Sequence, residues 1–320
     1  MGYNAMVRLL PLFLILLTGC SSLQKWAVRR SSPVFHQAAD QLTKEDSWIF
    51  FRNSAPGNLK FLELVYLTDP DNMGLLPAVI KAHTGYAYAV PETLAFEDDL
   101  LGVADSINKT EAILHYTRAL DYGVVYMGKQ DITKDDLLNL PEEKLREKLK
   151  KETNDDDLIA MVYMAQSWGS LINLQKDNVA LVSQIPRVKM IFDYVCSKKP
   201  EIENGICDIF MAQYEASRPR MLGGNPEKAR SLYTSAMKKY PHHLLIPLNM
   251  IQYIHLPAMD SDEYEKLAGF MKTELAEWGS KKRDNLADES RYRNSRDLNL
   301  YNAVAKRRLE IIEQNKKKIF

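Results

Sequence analysis

The sequence predicts an all-α protein whose helices follow one another as an irregular repeat array. Three observations carry that reading. Apolar residues recur at helical spacing from about Val34 onward. The connections between periodic segments are short and often marked by proline, at Pro56, Pro70, Pro186, Pro200, Pro226 and Pro241. A pattern of small residue, aromatic, small residue and proline also returns along the chain. No β-branched alternation bounded by hairpin turns competes with it.

The 320 residues are 46% hydrophobic and 26% charged, enough to bury a core and too apolar for a disordered chain. Basic and acidic residues number 42 each, so no net charge attracts nucleic acid or an anionic membrane surface. Three cysteines are too few for a disulfide scaffold or a zinc ribbon.

Taken in order, the first element is an address. Arg8 precedes an apolar stretch from Leu9 to Leu17, interrupted by Pro11 and too short to span a bilayer. Residues 1–19 therefore read as a signal peptide. Leu17-Thr18-Gly19-Cys20 follows in the order of a bacterial lipoprotein signal, in which the cysteine thiol takes a diacylglycerol group and becomes the first mature residue. The alternative is a buried N-terminal helix that happens to end in a cysteine. Residues 20–33 are expected to form the anchor and tether. Ser21 is not the aspartate that favours inner-membrane retention in enterobacteria. The expectation is thus a periplasm-facing protein anchored in the bacterial envelope, at the outer membrane rather than the inner.

Residues 34–320 form the folded domain, with helices expected over 45–53, 57–68, 73–90, 107–126, 134–151, 156–174, 186–198, 203–217, 226–240, 243–256, 261–278 and 296–316. Two stretches interrupt the array. Residues 128–157 are crowded with charge and read as an insertion carrying a solvated surface helix, and residues 279–297 read as a mobile loop. The recurring pattern is clearest at Ala229, Tyr233, Ala236 and Pro241. Small residues there let two helices approach, the aromatic fills the space between pairs, and the proline ends the turn. Val188, Phe192, Val195 and Pro200 repeat the spacing, Ala112, Tyr116 and Ala119 match without the proline, and Leu62, Val65 and Pro70 match in the latter part. This is the signature of a tetratricopeptide-like α-solenoid with irregular repeats, against the alternative of a generic helical bundle.

Chemistry is harder to find. None of the six histidines sits in a metal-binding spacing, and no nucleophile elbow, phosphate loop or dinucleotide fingerprint occurs. Carboxylate pairs such as Asp98-Asp99 lie at helix ends, where capping explains them. The expectation is a protein that is not an enzyme and uses no cofactor and no metal. Cys196 and Cys207 flank a turn near Glu201, so an antiparallel pair of helices brings them within disulfide reach in an oxidising periplasm; two buried thiols are the alternative. One connection stands out. Pro219 ends a helix, Gly223 and Gly224 permit a tight turn, Asn225 caps the next helix, and Arg218 and Arg220 stand beside the turn.

That run, Ser217 to Arg230 followed by Tyr233 and Ala236, resembles the signature of the TatT family, the lipoprotein component associated with tripartite ATP-independent periplasmic (TRAP) transporters. The Pro56 to Pro70 helix, Tyr86 and Tyr88, His115 to Ala119, the Trp168 helix, Ile185-Pro186-Arg187 and Asn302 to Arg308 agree with it. The resemblance implies a degenerate tetratricopeptide-type solenoid that forms a homotrimer, binds a periplasmic solute-binding protein, and offers an apolar cleft. Aromatics on the expected inner helices, Tyr86, Tyr163, Trp168, Tyr214 and Tyr253, are candidate cleft residues, with core packing as the alternative for each. Arg218 and Arg220 are candidates for the polar end, where they would meet the acidic head of an amphiphile such as a fatty acid. A tetratricopeptide scaffold for envelope assembly, without a small ligand, is the competing reading.

Overall fold

The computed structural model describes residues 25–35, 37, 43–150, 153–284 and 296–320. The signal peptide, Cys20 and most of the 279–297 segment lie outside them. The described chain is all-α, with no strand among the described residues.

Its first helix, α1, covers residues 25–35, a stretch expected to fall largely within the tether. Two pairings explain the difference: the Arg29 guanidinium donates to both Asp69 carboxylate oxygens at 2.6 and 3.2 Å, and Asn72 donates to Ser32 Oγ at 3.0 Å. α2 (Trp48–Thr68) begins at an Ser47 N-cap and runs through Pro56, where the sequence suggested a break. Trp48, Phe51 and Ala55 before the proline and Leu59 after it face one core, and that shared burial carries the helix across. α3 (Leu76–Ala89) is followed at once by α4 (Pro91–Leu101), a helix missing from the sequence reading. Its signals are Pro91 in the first turn, Glu92 at the positive end and Gly102 closing it at φ 75°.

α5 (Ile107–Gly128) packs against both α3 and the long central helix α8 (Asp155–Leu174). Between them, the charged insertion is split at Pro141 into α6 (Lys134–Asn139) and α7 (Glu142–Leu149). It is less solvated than expected, since Leu137, Leu145 and Leu149 are buried in the main core. The short α9 (Val179–Val182) leads into α10 (Ile185–Lys198), which pairs with α8 and α11 (Ile206–Ser217). A disulfide joins Cys196 to Cys207 across that connection, with their Cα atoms 5.8 Å apart.

α12 (Pro226–Lys239) lies along α11, and α13 (Leu245–Met250) continues into a π-helical turn over Ile251–His255. α14 (Ser261–Asp284) extends past residue 278, where the loop was expected to start. α15 (Asn299–Ile319) closes the chain against α4, α13 and α2. The recurring sequence positions are the buried stripes of their helices: Ala229, Tyr233 and Ala236 on α12, Val188, Phe192 and Val195 on α10, and Ala112, Tyr116 and Ala119 on α5. Four apolar cores result: one around α3, α5, α8 and α10, a second around the start of α2, the end of α3 and α13 to α15, a third around α11 to α13, and a small fourth where Ala87, Ala112, Tyr116 and Leu171 join α3, α5 and α8.

Candidate functional site

A cavity of about 130 Å³ lies where α3, α8, α11, α13 and α15 converge. Phe51, Tyr86, Tyr88, Tyr163 and Tyr301 supply aromatic walls, and Ile206, Ile209, Leu245 and Val304 supply aliphatic ones. Gly85 opens the α3 side, since a Cβ there would meet no atom within 4 Å.

The polar groups are few and specific. Lys81 Nζ sits 3.0 Å from Glu203 Oε1, and both side chains are largely buried. Tyr163 donates to Glu203 Oε2 at 2.5 Å, and burial together with that carboxylate pushes the phenol well above its usual range, so it stays a donor. Glu203 reaches this position from a left-handed turn: Glu203 has φ 48°, Asn204 φ 55° and Gly205 φ 93°. Two successive non-glycine residues in that region are costly backbone, of the kind found where a side chain must be aimed. The Cys196–Cys207 bridge closes the connection directly around the turn.

Two of the lining residues carry a polar atom without a partner. Gln166 Oε1 on α8 and His243 Nδ1 before α13 are both buried and unpaired, and both residues line the cavity. Burial pushes the His243 imidazole down to about 4, so it is neutral at pH 7. Its ring centroid lies 5.1 Å from that of Tyr301. The adjacent His242 points outward, with Nδ1 3.1 Å from Glu274 Oε2.

The expected site residues divide. Tyr86 and Tyr163 line the cavity, and the Tyr86 hydroxyl is tied to Glu111 at 2.8 Å. Tyr253 stands one layer back, where its hydroxyl accepts from the cavity residue Gln213 at 2.8 Å. Trp168 is a core residue whose Nε1 donates to Gln184 at 2.8 Å, and it does not line the cavity. Tyr214 lies under Arg218, whose guanidinium carbon is 3.7 Å from the ring centroid.

Arg218 and Arg220 do not form the polar end. Arg218 donates to the Tyr214 carbonyl at 3.0 Å, the Leu222 carbonyl at 3.0 Å and Glu215 at 3.3 Å, so the loop itself consumes its donors. Arg220 is exposed and paired with Glu227. These contacts make the connection rigid instead. Gly223 has φ 82°, while Gly224 is required by space, because a Cβ there would lie 1.8 Å from the Arg218 carbonyl oxygen. Pro219 accepts from the Gly224 amide at 3.1 Å, and Asn225 caps α12 through Lys228. Held on this frame, Met221 is 89% exposed and Leu222 62%.

Lys81, Gln166, Glu203 and His243 were not among the expected site residues. The one sequence signal was Asn204-Gly205 in the α10–α11 connection, a dipeptide suited to left-handed backbone. A second polar cluster lies between α2, α3 and α5, where His83 Nε2 is 3.0 Å from Glu63 and its Nδ1 3.0 Å from His115 Nδ1. Among the described residues, no group of three or more His, Cys, Asp or Glu has an arrangement that could hold a metal ion, and no helix is long and apolar enough to cross a membrane. No curated relative matches the chain. Residues 44–271 match the family model described as TAtT, the TRAP transporter T-component, and the chain belongs to that family.

Proposed function

We propose that this T-component is a non-enzymatic, lipid-anchored, periplasm-facing protein that binds the solute-binding protein of its TRAP transporter and holds an apolar or amphiphilic ligand. Membership of the family places the chain with a TRAP transporter and thereby with the cell envelope. The observation that carries the finer reading is the aromatic cavity, with Glu203 aimed at it beside Lys81 and Tyr163. Such a lining, mainly apolar with a few convergent polar groups, is how small-molecule sites are built. The buried repeat positions on α5, α10 and α12 support a tetratricopeptide-like solenoid, and the rigid loop that presents Met221 and Leu222 supports a protein contact there.

The partner is tested by mixing the full chain with the transporter's solute-binding protein and following complex mass by light scattering. A complex that Met221→Glu with Leu222→Glu weakens at least tenfold supports the reading, and no complex at any accessible concentration removes it. The same measurement on the chain alone tests the homotrimer, which a persistent monomer refutes. The anchor is tested by detergent phase partitioning. Wild type should enter the detergent phase as a lipidated mature chain and Cys20→Ala should remain an unprocessed precursor; wild type and variant both left in the aqueous phase would count against the lipid anchor at Cys20.

A further inference from the structure

We propose that α1 and the outward face of α2 form a membrane-facing surface that lies in the headgroup layer of an anionic phospholipid bilayer, so that the protein is held in one orientation. The inference rests on reading Cys20 as the lipid anchor and names the part of the fold that meets the lipid.

Apolar exposure is the first argument. Ile49, Phe50, Phe61, Leu64 and Leu67 all lie on α2 and are each more than half exposed. At 3.6 residues per turn they fall within one arc of about 120°, opposite the buried stripe of Trp48, Phe51, Ala55 and Leu59. α1 extends this face. Trp26 and Val34 are also more than half exposed, and Phe35 reaches Phe61 with ring centroids 6.3 Å apart, so the two helices share an outer surface. Their inner sides are fixed, because Val28 and Phe35 pack on the main core and Arg29 is held by Asp69. Contiguous apolar exposure of this kind marks an interaction surface.

Charge is the second. α1 and α2 together carry five basic residues, Lys25, Arg29, Arg30, Arg52 and Lys60, against one acid, Glu63. The carboxylates that meet them, Asp69 with Arg29 and Glu63 with Lys60, are buried, so the charge these helices turn outward is positive. In a chain with 42 residues of each sign, that bias belongs to this surface. Arg30 also lies over the Trp26 ring at 5.9 Å, which puts a cation and an amphipathic ring in one place. Basic groups among apolar side chains and tryptophan are what a helix lying in an anionic interface presents. A second copy of the chain in a two-fold contact would instead set like charge against like.

Reach is the third. Four residues separate Cys20 from Lys25, and a chain advances at most about 3.6 Å per residue, so α1 begins within about 18 Å of the anchor position. Acyl chains on Cys20 enter the bilayer and keep the start of α1 within that distance of the headgroups. The lipid surface is therefore the partner that the chain itself brings to this face.

The test uses the full acylated chain in vesicles of phosphatidylethanolamine and phosphatidylglycerol. With Cys20 acylated and Cys196 bonded to Cys207, an engineered cysteine is the one thiol that takes a nitrobenzoxadiazole label. Nitroxide lipids should quench the label at Leu64→Cys at least threefold more than at Ser235→Cys, an exposed position on α12. Adding Phe61→Glu and Leu67→Glu should bring the Leu64→Cys signal down to the Ser235→Cys level, with circular dichroism confirming that each variant folds. If the protein does not float with the vesicles, the anchor reading falls and the inference with it. If it floats and the two sites are quenched alike, the inference alone falls. Quenching that is unchanged in neutral phosphatidylcholine vesicles overturns the choice of an anionic surface. A Leu64→Cys label shielded from aqueous iodide yet not quenched by nitroxide lipids means that a second copy covers the face, which also overturns the inference.

Discussion

The turn that aims Glu203 at the cavity should depend on the disulfide beside it. Glu203 and Asn204 occupy left-handed backbone at φ 48° and 55°, and a non-glycine residue there costs on the order of 1–3 kcal/mol, asparagine the least. Lys81, Tyr163 and the bridge must offset that cost. The cysteines are separated by 11 residues, and the chain-entropy relation gives such a closed loop about 3 kcal/mol at 25 °C. Cross-link and strain are thus of similar size, and removing the first should release the second. The double variant Cys196→Ala with Cys207→Ala should lose about 3 kcal/mol, or roughly 5 °C in melting temperature, by the unfolding entropy of about 2.1 cal/mol/K per residue over a domain of this size.

The loss should also be local. Amide exchange over residues 202–206 should accelerate well before that of α8, because the turn relaxes once its ends are free. Glu203 would then leave Lys81 and Tyr163, and the polar wall of the cavity would open. Oxidised wild type, reduced wild type and the double variant are compared by thermal melting and hydrogen exchange with mass-spectrometric readout. A double variant that melts within a degree of wild type, with unchanged exchange at the turn, would refute the coupling. Two reactive thiols at Cys196 and Cys207 in denatured, unreduced protein would refute its premise.

Three further outcomes are expected. Arg308 is fully buried, donates to Thr93 at 2.9 Å and to the Tyr88 carbonyl at 2.8 Å, and meets Glu92 at 3.3 Å; Arg308→Met should cost about 3–5 kcal/mol in urea unfolding and Glu92→Gln should recover much of it, because the damage is an orphaned buried charge. Burial holds His83 and His243 down at about 4, well below the 6.5 of a free imidazole. The unfolded chain therefore takes up protons first, so the stability these residues contribute is complete above about pH 6.5 and is lost as pH falls toward 4; His243→Phe should flatten the urea midpoint's dependence on pH over that window, and an unchanged slope would show that the residue is not held neutral. Gly224→Ala places a methyl against the Arg218 carbonyl oxygen. It should weaken the solute-binding-protein complex, and a complex of unchanged affinity would show that the contact does not depend on the shape of this loop.

Much of the fold was readable because its helices carry regular stripes. Ala229, Tyr233 and Ala236 declare the buried face of α12 by spacing alone, and α8 announces itself with three aspartates ahead of an apolar run. The misreadings cluster at prolines, where local rule and tertiary burial pull apart. Pro56 does not break α2, because Trp48, Phe51, Leu59 and Leu62 are buried on one side of it. Pro141 does split the next charged stretch, whose leucines reach the core in two separate groups. Pro91 was passed over as a helix start since α4 follows α3 without a loop.

The site was legible only in its walls. Tyr86 and Tyr163 are visible as aromatics on helices that must pack, and a cavity among packed helices tends to be lined by such residues. Its polar groups leave no comparable trace. Lys81 and Glu203 are 122 positions apart, and Gln166 and His243 come from different helical layers. None forms a motif, because it is the fold and not the chain that brings them to one cavity. Arg218 and Arg220 drew attention for the opposite reason: they are close together, beside glycines, in a run with a family signature. Yet proximity in sequence is what lets a loop satisfy its own donors, as Arg218 does with the Tyr214 and Leu222 carbonyls four residues to either side. A charged group with acceptors that near is spent on shaping the chain, whereas the groups that meet at the cavity wall, such as Lys81 and Glu203, are brought together only by folding.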